Sequence, residues 1–206
     1  MPTPTGQENI NGAVAFGRNF CFDETHGYSM TDRMLPDVDC SSFVGYCLQQ
    51  NGFDVSMSWN TTTMIPTLQA YPGFTEYHFT SSFIPQHGDI FVYDEGGGAN
   101  GHTFFYAENV IGYTDGNADS DATGLLSRAR VEASSSRGHT QTGDHRKNGT
   151  GAYWEVWVHP WSAPDPNEHY WHVFRWGGAS GTVPPWLLMK YAQKMHNGSR
   201  INRHFF

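Results

Sequence analysis

Cys40 and His102 are the residues of this sequence whose types and spacing fit nucleophilic catalysis. Cys40 stands in PDVDCSSFVGYCLQQ, where Asp39 is a natural N-cap, so the thiol falls in the first turn of a helix. About sixty residues later Gly101 and His102 open the β-rich run TFFYA. A thiol attacks poorly until it ionises, and a helix N-terminus with a nearby imidazole lowers a cysteine pKa from about 8.5 toward roughly 3.5 to 7.5. The backbone N–H groups of Cys40 and its neighbour would also suit the oxyanion of a tetrahedral intermediate, a contribution of about 3 kcal/mol where it has been tested. The pairing is suggestive rather than specific, because 11 histidines offer many partners and free cysteines are more often inert packing residues.

The remaining cysteines and histidines read as structural. Cys47 follows Cys40 by seven residues on one helix, roughly 10 Å along its axis, too far for a disulfide. Cys21, between Phe20 and Phe22, reads as a packing residue. Three cysteines leave at least one thiol free, and a reducing compartment fits. Neither CxxC nor HExxH spacing occurs, and DGNADSD (115–121) does not have the Gly and terminal Glu of a calcium loop at the required spacing. No metal and no cofactor are expected.

The elements that must position the pair follow from periodicity. Residues 8–22 read as an amphipathic helix despite Gly12 and Gly17, and 41–50 as a second helix with Gly52 at its C-terminal cap. A third is expected around 61–70, interrupted by Pro66. The runs at 90–94 and 103–107 predict two antiparallel strands joined by the Gly-rich stretch EGGGANG. Residues 112–152 read as long loops on a sheet edge, poor in core, with one possible strand at LLSRARVEA. Aromatic alternation at 152–161 and 169–176 predicts the final strands, whose Trp and Tyr side chains fill a core rather than a sugar-stacking surface. GGASGTVPP then reads as a linker to a helix through WLLMKYAQKM. The expected fold is α+β, helices packed on an antiparallel sheet, with a catalytic domain over 1–176 and a linker and helical tail over 177–206.

Composition narrows the function. With 15% aromatic residues the chain folds, and a formal charge of −8 with 12 Lys and Arg makes nucleic acid an unsuitable partner. No run of 18 apolar residues suggests a membrane span, and MPTPTGQENING lacks the basic start and apolar stretch of a secretory signal.

The string PDVDCSSFVGYCLQQNGF, then WNTTTM, QHGDIFVYD and GHTFFYA, resembles the NlpC/P60 superfamily, and within it phage and prophage lysins of the amidase-5 type. Upstream, HGYSMTDRMLPD resembles the approach to the cysteine in those lysins, and QTGD and the aromatic end resemble their later parts, so the likeness spans roughly 10–176. The resemblance implies a papain-like fold with Cys40 as nucleophile and His102 as general base. It implies that Asp39, Ser41 and Ser42 complete the nucleophile motif and, with Tyr28, bind the substrate, and that Gly88 and Asp89 form the turn into the sheet. A third polar residue usually follows the histidine by about a dozen positions and orients it. Here that place falls near Gly112, so either Thr114, Asp115 or Asn117 serves, with Asp115 favoured, or the orienting residue comes from elsewhere in the chain.

By this resemblance the chain is a peptidoglycan hydrolase that cuts an amide in the peptide part of the bacterial wall through an acyl-enzyme. It would act as a phage endolysin released through a holin, or as a lysin on a virion tail. Two rivals keep the scaffold: a structural or docking subunit bound to other tail proteins through the C-terminal helix, and an acyltransferase in which an amine replaces water.

Overall fold

A computed structural model describes residues 6–23, 26–31, 33–96, 100–114, 122–134 and 155–178. The expected tail helix, the linker beyond residue 178, Asp115, Asn117 and QTGD lie outside these residues. The described chain is α+β. Three helices, α1 (Gln7–Cys21), α2 (Cys40–Gln50) and α3 (Thr61–Ala70), accompany six strands: β1 (Phe74–His78), β2 (Ile90–Tyr93), β3 (His102–Tyr113), β4 (Thr123–Ser134), β5 (Glu155–Pro160) and β6 (Trp171–Trp176).

The strands form one antiparallel sheet in the order β1-β6-β2-β3-β4-β5. Helices α1 and α2 cover one face. On α1, Ile10, Ala13, Val14, Gly17 and Phe20 are buried at the three- and four-residue spacing of a helix stripe. On α2, Phe43, Val44, Cys47 and Leu48 are fully buried against them and against Ile90, Phe105, Val131 and Val158 of the sheet. Side chains alternate along a strand, so the intervening residues face the other way. There Phe91, Phe104, Tyr106, Trp171 and Val173 make a second, aromatic core, with Phe91 and Phe104 stacked at 5.0 Å.

The structure departs from the sequence expectations in three places. Pro66 does not interrupt α3: Asn60 caps it reciprocally with Thr63, and the buried Met64 and Leu68 anchor it on either side of the proline. Phe74–His78 is a strand the sequence pattern did not announce, because it lies at the sheet edge and buries little. Residues 123–134 are an inner strand, not edge decoration. β4 runs the length of β3 and buries Leu126, Ala129, Val131 and Ala133, although Gly, Ser and Arg dilute its hydrophobic signal.

Candidate active site

Helix α2 begins at Cys40 because Asp39 caps it. The Ser42 N–H donates to Asp39 Oδ1 at 2.7 Å and the Asp39 N–H donates to Ser42 Oγ at 2.9 Å, a reciprocal capping box of the kind that contributes about 1 kcal/mol. Ser41 Oγ lies 2.9 Å from Asp39 Oδ1 and 3.0 Å from the Trp59 carbonyl, while the Trp59 indole N–H donates to the Ser41 carbonyl at 2.6 Å. Arg33 closes the arrangement, its Nη1 donating to Asp39 Oδ2 at 2.5 Å and its Nη2 to the Trp59 carbonyl. Asp39, Ser41 and Ser42 are buried, and their side-chain oxygens bond within the protein. The motif thus fixes the sulfur at the positive end of α2, and the Arg33 guanidinium offsets the carboxylate that caps it.

His102 opens β3 opposite Tyr93, with Gly101 against the first turn of α3. A Cβ on Gly101 would lie 1.8 Å from Thr61 Oγ1, so only glycine lets the chain pass there and bring its carbonyl to 4.0 Å from Cys40 Sγ. The His102 ring interacts with Cys40 on one side and with Glu132 on the other, its Nε2 standing 2.9 Å from Glu132 Oε2. Burial works to lower the pKa of this imidazole, but the Glu132 carboxylate and the bond to Cys40 outweigh it and raise it to about 10. Glu132 is 1% exposed. Burial opposes its ionisation, yet His102 and His159 hold it well below the ordinary carboxylate range. An ionised carboxylate only accepts, so His102 carries a proton on Nε2 toward Glu132, and Nδ1 is the nitrogen left for the sulfur.

A carboxylate bonded to His102 lies thirty residues beyond it, on β4. Near the dozen-residue position, Gly112 pairs with Gly124 and Thr114 bonds to the Ala122 carbonyl, at the opposite end of β3. Ten residues of strand separate Gly112 from His102, about 33 Å, so neither can orient the imidazole. Sequence reasoning missed Glu132, though a signal was present: in SRARVEA it is an acidic residue inside an apolar alternation, on the same face as Arg128 and Arg130.

Tyr28 is buried, with its hydroxyl donating to Met30 Sδ at 3.1 Å. Burial, and then the charges of Cys40 and Asp39, push its pKa up, so the phenol keeps its proton. Gly88 and Asp89 form the turn into β2: Asp89 is fully buried and takes a two-pronged bond from Arg175, at 2.8 and 2.7 Å.

Residues 23–119 match a family described as bacteriophage peptidoglycan hydrolase. No curated protein matches the chain. The likeness to that hydrolase family takes in Tyr28, the capped Cys40 and His102, and it ends before Glu132 and His159. The carboxylate end of the site thus rests on the fold alone. Cys40 is 6% exposed and the His102 side chain 26%. Two cavities, of about 480 and 610 Å³, lie elsewhere, beside Glu108 and Arg175 and beside Phe83 and Trp161. No helix among the described residues is long and apolar enough to cross a membrane.

Proposed function

We propose that this chain hydrolyses an amide bond in the peptide part of bacterial peptidoglycan by a thiolate mechanism, on a papain-like scaffold of the NlpC/P60 kind. The observation that carries the reading is the ordered chain Cys40, His102 and buried Glu132 at the capped start of α2. Its support from outside the structure is the match to bacteriophage peptidoglycan hydrolases across the nucleophile and the histidine. Cys40 and His102 are the catalytic residues. Glu132, rather than Asp115, is the orienting carboxylate of this reading.

In the reaction the His102 imidazolium stabilises the negative sulfur, which attacks the amide carbon. A C–S bond forms and the carbonyl electrons move to oxygen, where the first-turn N–H groups of α2 receive them. Collapse of this intermediate breaks the C–N bond, and the departing amine takes the proton from His102 Nδ1. Water then attacks the thioester, gives a proton back to His102, and releases the carboxylic acid with the thiolate restored. The Tyr28 phenol, protonated and beside Cys40, acts as a hydrogen-bond donor to the substrate. Asp39, Ser41 and Ser42 act through the position of the sulfur. A phage setting fits, with the wall reached through a holin or from a virion tail.

Digestion of purified peptidoglycan by the parent and by Cys40→Ala, with mass spectrometry of the soluble products, tests the reading. Fragments from the parent alone support it, and their masses separate an N-acetylmuramoyl-L-alanine amidase from an endopeptidase. Failure of the parent on walls of several chemotypes would favour a structural or docking role in a virion tail. Products that incorporate an added amine would reveal an acyltransferase.

A further inference from the structure

Glu132 serves two imidazoles, and the mechanism above uses one. While Oε2 faces His102, Oε1 lies 2.8 Å from His159 Nε2 and accepts from the Trp157 indole N–H at 3.3 Å. Both donors come from β5, whose register sets Trp157 opposite Glu132 and His159 opposite Arg130, the diagonal neighbour of Glu132. Trp157 and His159 stack at 3.8 Å with 18° between their planes, which fixes the imidazole edge that meets the carboxylate. Trp157 is 5% exposed and His159 8%, so water does not substitute freely for either donor.

We propose that His159 is a positioning residue for the hydrolytic reaction, holding Glu132 Oε1 so that Oε2 stays aimed at His102. The inference rests on the peptidoglycan-hydrolase reading for its biological meaning, but the coupling between the two histidines is a property of the folded chain. A glutamate has three rotatable bonds, and one contact at Oε2 leaves the carboxylate free to swing. A buried carboxylate oxygen without a donor is also costly. Two donors on Oε1 remove both problems and turn Glu132 into a fixed bracket between β3 and β5. Among the described residues, the charged and titratable groups that act on it are His102 from β3, Arg130 from β4 at 3.9 Å, His159 from β5, and the more distant Tyr28. Of these, His102 and His159 make hydrogen bonds with it.

The test compares His159→Gln, whose amide N–H reaches where Nε2 stood, with His159→Asn, whose amide is too short. Trp157→Phe keeps the ring stack and removes one donor. NMR titration of His102 in each folded protein reads the effect without any substrate, and kcat/KM on peptidoglycan against pH reads it in the reaction. The expected result is a His102 midpoint near the parental value in His159→Gln and lower by about one pH unit or more in His159→Asn. Trp157→Phe should give a smaller fall in the same direction, which also serves if His159→Asn does not fold. The alkaline limb of kcat/KM should move with the NMR midpoint. Identical His102 midpoints in the parent and the donor-deficient variants would overturn the proposal, even if activity fell. A moved midpoint in a parent that releases no wall fragments would keep the coupling and reject the hydrolase reading.

Discussion

The two ends of the β2–β3 ladder each bury a carboxylate, and they do so for different ends. Asp89, at the turn before β2, is closed by the two-pronged guanidinium of Arg175 and by the Gln86 N–H at 2.8 Å. Glu132, which meets the start of β3, is closed by two imidazoles and an indole. A guanidinium keeps its charge at any pH the protein meets, so the Asp89 pair is a permanent clamp between β2 and β6. An imidazole can give up its proton, so in the proposed reaction the Glu132 cluster holds charge that can move. Burial makes both carboxylates dependent on their partners. The partner's chemistry decides whether the result is a fixed staple or a cluster that can exchange a proton.

Four sets of experiments would break or sharpen that contrast. The largest effect is expected at the end of the Glu132 chain. Cys40→Ala should release no wall fragments while circular dichroism and melting stay parental, and near-parental lysis by this variant would remove the site from the reaction.

Next come the carboxylates themselves. Glu132→Gln should lower kcat/KM about 10²- to 10⁴-fold, and the alkaline limb, set in the parent by a His102 pKa of about 10, should move to lower pH. Asp89→Asn should instead cost about 3–5 kcal/mol in denaturant unfolding and leave the pH–rate profile of the folded fraction in place. An Asp89→Asn profile that shifts like that of Glu132→Gln would erase the distinction. The cluster also predicts how stability varies with pH. Glu132, with a lowered pKa, stabilises the fold above about 4.5 and loses that contribution as acid protonates it. His102, with a raised pKa, contributes fully below about 6.5 and loses its contribution as pH rises through about 10. The joint contribution is therefore greatest between about 4.5 and 6.5 and fades on both sides in the parent, and Glu132→Gln should flatten it.

A smaller effect is expected for His102→Ala, which should slow iodoacetamide alkylation of Cys40 at pH 6 by roughly tenfold, since the positive partner of the sulfur is gone. An unchanged alkylation rate would break the pairing. Smallest of all, Cys47→Ala should retain parental kcat/KM and lose about 1–2 kcal/mol of stability. Cys47 lies on the apolar side of the same helix, where burial pushes its thiol pKa well up. Loss of activity there would mean that the two thiols of α2 are not separate in role.

Much of the scaffold was legible before the structure. The capped start of α2, the apolar stripe of α1, the strands at 90–93 and 171–176, and the placing of His102 at a strand start all follow from local patterns. These depend on neighbours within a few residues, which is what a sequence displays. Residues 123–134 were harder to read because glycine and two arginines dilute the pattern, and their pairing with β3 supplies the order that composition does not.

The site divides along the same line. Residue type and spacing were enough to single out Cys40 and His102 as candidates, because a capped cysteine and a Gly-His strand start are local patterns. Tertiary structure alone brought a carboxylate to His102. Glu132 reaches His102 because β4 folds back along β3 in one register, with Phe105 opposite Val131, and a shift of one residue would turn Glu132 into the helix-covered core. The role of His159 depends on a second such register, between β4 and β5. Strand pairing over tens of residues is fixed by which faces can be buried together, and that is a property of the whole sheet.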